Sequence, residues 1–404
     1  MNEFIGGAPV EDRNEALFRK IANGIGWSFV AKVLGVGSSL AINAMLARML
    51  SPEDLGQYFL IASLVYFLAI CAQLGLNQTV VRLVAGSLAS GTPGRARATV
   101  YRAGMIVLFG SVIVAGAYYL FLGRFLGKSL FSAPALHTIA ATMSLLIGFT
   151  AFQTLVAETF RGLHNIKLAV LLDGVLANVI LACALGVLSL AVFDLSLAQT
   201  VSLQVFSTVL CLLLGGWLLI SVADEFRGEG TVSTRQILSI SLPVFIVNLL
   251  TEAMTNCNLW IVGAMLSTID VALFGAAWKL VMLIAVPLAL VTMTVQPVIA
   301  ELHARSEKDT LERAIRGVAT VAAAPAVVVL LVFTFAGDRV LSLVYGESYA
   351  SADVVLAILS VGQAVNALTG PCSQVLFFTG HERTLMKITF LSSLITIVAS
   401  VVAA

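Results

Sequence analysis

The sequence predicts an all-α polytopic membrane protein of two six-helix lobes, and three observations carry that expectation. First, 59% of the 404 residues are hydrophobic and only 11% are charged, where a soluble domain carries roughly 25% charged residues. Mean hydropathy is +1.00. Second, apolar runs long enough to cross a hydrocarbon core of ~30 Å recur along the whole chain. Third, short motifs at helix ends repeat at an offset of about 216 residues, dividing the chain into halves.

Residues 1–22 form a polar tail of mixed charge, neither a signal-peptide n-region nor a domain. The run after it is too long for a cleaved signal and stays as the first span. Eleven spans are expected, at 24–46, 56–76, 103–122, 137–157, 168–189, 196–220, 238–265, 272–296, 317–336, 352–378 and 385–404. Residues 23–222 make the N-terminal lobe, 223–236 a cytoplasmic linker and 237–404 the C-terminal lobe. Lys and Arg set the orientation. Seventeen of the 23 lie in the tail and the alternate loops on its side, against Arg48, Arg124, Lys128 and Arg339 opposite. The N-terminus is therefore expected in the cytoplasm. Lys32 and Lys279 fall inside spans.

Several function classes drop out. A net charge of +1 gives no reason to expect a nucleic-acid partner. Cys71, Cys183, Cys211, Cys257 and Cys372 each sit in an apolar run without CxxC spacing and read as small core residues. His137, His164, His303 and His381 form no cluster, so neither a metal nor a cofactor is expected. The outer loops are short, which weighs against a membrane glycosyltransferase or polymerase. Gly123-Arg-Phe-Leu-Gly-Lys-Ser129 is similar to a phosphate-binding loop. It has three residues between its glycines rather than four and follows a span, so ATP hydrolysis is not expected.

The most informative stretch is 237–266. It is apolar enough to span, yet Asn248, Thr251, Glu252, Thr255 and Asn256 recur at steps of three and four, on one helical face. Lipid cannot satisfy such a stripe, so it must face protein or water. This helix is expected to wall a polar cavity, with Glu252 as its one ionisable group.

The repeat is read from turns. Met49, Leu50, Ser51 and Asp54 pair with Met265, Leu266, Ser267 and Asp270; Gln78 pairs with Gln296, and Phe160-x-Gly162 with Phe378-x-Gly380. Both halves start on the same side, so the repeat is parallel, as in many secondary transporters. The sixth span, shifted by the same offset, would lie beyond Ala404, so the twelfth helix is expected to be missing from this chain.

Leu46-Ala-Arg-Met-Leu-Ser-Pro-Glu-Asp-Leu-Gly-Gln-Tyr58, Leu74-Gly-Leu-Asn-Gln-Thr-Val-Val-Arg82 and Glu158-Thr-Phe-Arg-Gly-Leu-His164 carry a resemblance. They resemble the polysaccharide-transporter, or oligosaccharide flippase, branch of the multidrug/oligosaccharidyl-lipid/polysaccharide exporter superfamily. The resemblance implies a flippase of polyprenyl-pyrophosphate-linked glycans in a bacterial inner membrane, with a cationic cavity between two lobes. It implies a lipid-linked glycan substrate, membrane lipids around it and polysaccharide polymerase or assembly proteins as partners. A drug/cation antiporter of the same superfamily and a non-transporting scaffold for polysaccharide enzymes are the alternatives.

Individual residues are read two ways. Lys32 and Lys279 either attract the pyrophosphate as point charges or pair with carboxylates such as Glu252. Arg82 either guides the headgroup or anchors its helix at the interface. Glu252 is a proton-coupling carboxylate or a permanent counter-ion. Asp173 reads as solvated at the interface, and Glu158 and Arg161 as a helical pair. Thr150, Gln153 and Thr154, like Asn366, Thr369 and Ser373, contact sugar hydroxyls or hold helices together. Pro243, Pro287, Pro297, Pro325 and Pro371 all lie within or beside spans of the second half, which is expected to bend more. Pro52 and Pro93 are expected in loops.

Overall fold

The computed structural model describes residues 33–191, 195–222, 228, 230–304, 308–379 and 381–403. Among them every regular element is helical. In chain order they are α1 (Val33–Met49), α2 (Pro52–Gln73), α3 (Leu76–Ala89), α4 (Pro93–Leu130), α5 (Ala140–Gly162), α6 (Ile166–Leu190) and α7 (Leu197–Val222). There follow α8 (Thr234–Met265), α9 (Thr268–Ala304), α10 (Lys308–Phe335), α11 (Gly337–Tyr345), α12 (Asp353–Thr369), α13 (Cys372–Phe378) and α14 (Glu382–Ala403). Eight segments are long and apolar enough to cross a membrane; α10 and α11 make a ninth, bent by 90°. With the shorter apolar helices α1 and α14, these correspond to the eleven expected spans. The tail 1–22 and Lys32 lie outside the described residues.

Local chemistry explains the boundaries. Pro52 and Pro93, expected in loops, are the first residues of α2 and α4. At that position the missing N–H has no helical partner to lose. The span expected over 56–76 stops at Gln73, because Leu74 and Gly75 both take left-handed backbone with φ of 49° and 76°. A separate helix, α3, then begins. Residues 123–130 continue α4 through a π-helical turn, so the glycines there do not shape a phosphate-binding loop.

The matched turns of the two halves do the same work. Ser51 Oγ accepts from the Asp54 N–H at 3.2 Å. Ser267 Oγ accepts from the Asp270 N–H at 3.3 Å, and Asp270 Oδ2 accepts from the Ser267 N–H at 3.0 Å. Each serine thus satisfies a free donor at the start of a helix. Ser267→Ala is expected to destabilise the protein by about 1 kcal/mol, read as a lower melting temperature in detergent with transport selectivity intact.

α2 organises the packing. It lies against α4 and α5 of the first half and against α8 and α9 of the second. Leu55, Leu60 and Ile61 of α2 share one buried cluster with Val271, Ala276 and Leu280 of α9. In a bilayer such contacts depend on close packing rather than water exclusion, which favours small residues at the crossing. Gly56 meets that need: a Cβ there would lie 1.8 Å from the Thr268 carbonyl oxygen. Within the second half α9, α10 and α12 pack on one another. Large apolar side chains such as Phe109, Phe121, Trp217 and Phe390 stay exposed on the outer surface, where lipid would meet them.

Candidate substrate cavity

The charged residues gather where α1, α5, α6, α8 and α9 converge. A cavity of about 610 Å³ is lined by Ser39 and Asn43 of α1, Arg161 of α5, Asp173 of α6 and Lys279 of α9. A neighbouring one of about 230 Å³ is lined by Tyr66, Asn77, Glu158, Asp173, Asn248 and Glu252, among others. Asp173 borders both. The first cavity includes Gly35, Arg161 and Ile166, so it reaches the face where most Lys and Arg lie. At the opposite face the halves are closed on each other. The Gly56–Thr268 contact is there, Trp260 Nε1 donates to Ser63 Oγ at 3.0 Å, and Arg48 donates to the Leu343 carbonyl.

A break in α6 places Asp173. Its helical path is interrupted at Asp173 (φ −75°, ψ 31°) and Gly174 (φ 111°, ψ −22°). The second of these is open to glycine and strained for other residues. The break frees the Leu172 carbonyl, and Gln153 Nε2 donates to it at 2.9 Å. Gln153 thus supports the break rather than merely adding to a polar face. Arg161 Nη1 meets Glu158 Oε1 at 2.5 Å, as the sequence spacing predicts, and Arg161 Nη2 meets Asp173 Oδ2 at 3.3 Å. Asp173 is therefore a cavity residue in a three-membered charge network, not an interfacial group standing apart.

The stripe on α8 divides by role. Asn248, Thr251 and Glu252 line the cavity. Asn248 Nδ2 also donates to Asn77 Oδ1 at 3.1 Å, joining the halves. Asn256 Nδ2 donates to Glu252 Oε1 at 2.7 Å and so orients that carboxylate. Thr251 and Thr255 donate to their own helix, to the carbonyls of Val247 and Thr251. Thr255 borders none of the cavities described above.

Lys279 has no direct ion-pair partner among the described residues. Protein surrounds it on most sides, yet its side chain is reachable through the cavity. It interacts electrostatically with Glu252, but among the described residues no carboxylate lies within ion-pair distance of it. Arg82 is exposed on α3 and borders none of these cavities. Among the described residues the two cavities hold Glu158, Asp173 and Glu252 against Arg161 and Lys279. Among the described residues carboxylates outnumber cations there, while Lys32, one of the two cations expected in the cavity, lies outside them. No group of His, Cys, Asp and Glu able to hold a metal occurs among the described residues.

Sequence reading passed over Tyr66, Gln73 and Asn77, which line the cavity with Ile70. Their steps of four, three and four were a usable signal, obscured because Gln73 and Asn77 fall either side of a helix break. The Tyr66 phenol lies within electrostatic reach of Asp173, Glu252 and Glu158 together.

Comparison with known proteins agrees with this architecture. Residues 21–303 match the family described as polysaccharide biosynthesis protein, and residues 243–402 match the family described as MatE. No curated protein sequence matches the chain. A multidrug resistance MATE family transporter of the MOP superfamily, solved in an inward-facing conformation, aligns with a TM-score of 0.71 at 17% identity. That alignment covers 90% of this chain and 84% of the other. The lipid II flippase MurJ, inward closed, aligns with a TM-score of 0.67 at 12% identity over 92% and 79% of the two chains. A MOP superfamily transporter from Pyrococcus furiosus, whose binding pocket is described as of reversed polarity, aligns at 0.60 and 16% identity over 90% and 84%. At these identities the structural likenesses speak for the fold. The family match spans well over half of the sequence, and with it the chain belongs to the polysaccharide biosynthesis protein family, as a membrane transporter of the multidrug/oligosaccharidyl-lipid/polysaccharide exporter superfamily.

Proposed function

We propose that this protein flips polyprenyl-pyrophosphate-linked oligosaccharide across a bacterial inner membrane for polysaccharide assembly, by alternating access without ATP. The observation that carries this reading is Lys279, a cation with no ion-pair partner among the described residues, in the cavity of about 610 Å³ between the two halves. An anionic headgroup supplies what that ammonium lacks. The Glu158–Arg161–Asp173 network is internally compensated at Arg161, leaving Lys279 as the anion-seeking group. Amides and hydroxyls around it suit a sugar chain. Residues 23–222 and 237–404 act as lobes rocking about the linker 223–236, with the polyprenyl tail kept in the bilayer.

The bias of Lys and Arg supports a cytoplasmic N-terminus. With that orientation the larger cavity opens to the cytoplasm, where lipid-linked precursors are made available, and the sealed face is external. Lys32 belongs with Lys279 at the headgroup, and Arg82 guides entry. Glu252, which accepts from Asn256 and lies within electrostatic reach of Lys279, is the ion-coupling group in this reading.

The excess of carboxylates over cations favours a second reading, a drug/cation antiporter. Proteoliposomes offered a fluorescent polyprenyl-pyrophosphate oligosaccharide and a cationic dye distinguish the two. Movement of the lipid-linked sugar is the expected result. Movement of the dye alone establishes the antiporter, and movement of neither by folded protein brings the scaffold forward.

A further inference from the structure

A smaller chamber of about 250 Å³ opens inside the first half, and Lys279 borders both it and the large cavity. Apart from that lysine its lining carries no charged side chain; amides of Asn43, Gln153, Asn178 and Gln204 face it, with the ring of Tyr66. Several hydrogen-bonding groups here are already committed. Gln153 Nε2 is given to the Leu172 carbonyl at 2.9 Å, and Asn43 Nδ2 to the Ser39 carbonyl at 2.6 Å. Thr208 donates back to the Gln204 carbonyl at 2.8 Å.

One acceptor among them is buried and uncommitted. Gln204 Oε1 is shielded from solvent and has no hydrogen-bond partner among the described residues. A buried amide oxygen without a donor destabilises the fold, and such atoms are rare enough to require a reason. The terminal amide torsion of a glutamine is soft, so a small rotation presents this oxygen to the chamber.

We infer that the chamber is a subsite for one sugar ring, the ring attached to the pyrophosphate. A hydroxyl or acetamido N–H of that sugar donates to Gln204 Oε1 while the pyrophosphate meets Lys279. The inference rests on the flippase reading above. A pyranose has a polar edge and an apolar C–H face, matching amides on one side and the Tyr66 ring on the other.

The test compares bare polyprenyl pyrophosphate with the same lipid carrying one N-acetylhexosamine, in proteoliposomes containing the full chain. Gln204→Met keeps the shape and removes the unpaired oxygen. The ratio of sugar-bearing to bare translocation is expected to fall by about 2- to 10-fold, the worth of one neutral hydrogen bond. The melting temperature should stay level or rise, which separates loss of a ligand contact from loss of structure. Asn178→Leu, on the same chamber, should shift the ratio in the same direction. An unchanged ratio in both variants overturns the subsite. If the parent protein moves neither lipid, the flippase reading fails and the subsite falls with it.

Discussion

Lys279→Ala is expected to slow translocation of lipid-linked sugar by about 10- to 100-fold, the loss that follows from one charge-assisted contact. Folding should survive. Removing one member of a buried ion pair leaves an uncompensated charge and is costly. Lys279 has no direct ion-pair partner among the described residues, so its removal breaks no ion pair and costs Glu252 only a more distant positive charge. Lys279→Arg should keep part of the rate, since the charge remains but its position and shape change. Arg161→Ala makes the informative contrast. It would leave Glu158 and Asp173 facing each other without the guanidinium that joins them, so a lower melting temperature should accompany any loss of transport. The measurement pairs initial rates in proteoliposomes with thermal stability in detergent. Equal rates for parent and Lys279→Ala, in folded protein, would remove the headgroup site from Lys279.

Gly56→Ala should shift the conformational equilibrium of the whole molecule. The added Cβ would sit 1.8 Å from the Thr268 carbonyl oxygen and 3.2 Å from the Ala272 nitrogen. Both are backbone atoms of a helix and cannot rotate away as a side chain does. Overpacking of this kind costs ~1–3 kcal/mol, and it falls on the state in which α2 and α9 touch. A state with that seam parted avoids the cost, so its population should rise by roughly 5- to 150-fold. A cysteine at Asn43, deep in the cavity, reports this in an otherwise cysteine-free protein. Maleimide labelling from the sealed face should increase with Gly56→Ala, and labelling from the Lys- and Arg-rich face should decrease. Gly275→Ala offers a graded comparison. Its Cβ would meet the Phe59 ring at 2.3 Å, and a ring can move where a backbone cannot. Labelling of Gly56→Ala identical to the parent would show that the seam does not set the equilibrium.

The sequence by itself determined the membrane class, the number and approximate limits of the spans, and the doubled turn chemistry. These are properties of composition and of short segments. Hydrocarbon forces the backbone of each span to bond within itself, so twenty apolar residues announce a helix whatever its neighbours. Ser51 and Ser267 cap their own helices, so their equivalence was legible from spacing alone. The polar face at Asn248, Thr251 and Glu252 was legible for the same reason, since its residues share one helix.

The tertiary structure alone decided which charges meet. Asp173 looked peripheral because its distance along the chain from Lys279 and Glu252 carries no information about distance in space. Its place at the cavity depends on the break at Gly174 and on Gln153, a residue twenty positions earlier, closing the freed carbonyl. The same holds for Gly56, whose need to be glycine comes from a carbonyl more than two hundred residues away, and for Gln204, whose unpaired oxygen exists only once the helices around it have closed. A helix reads out its own residues, whereas a cavity is an agreement among several helices, and local periodicity holds no term for that.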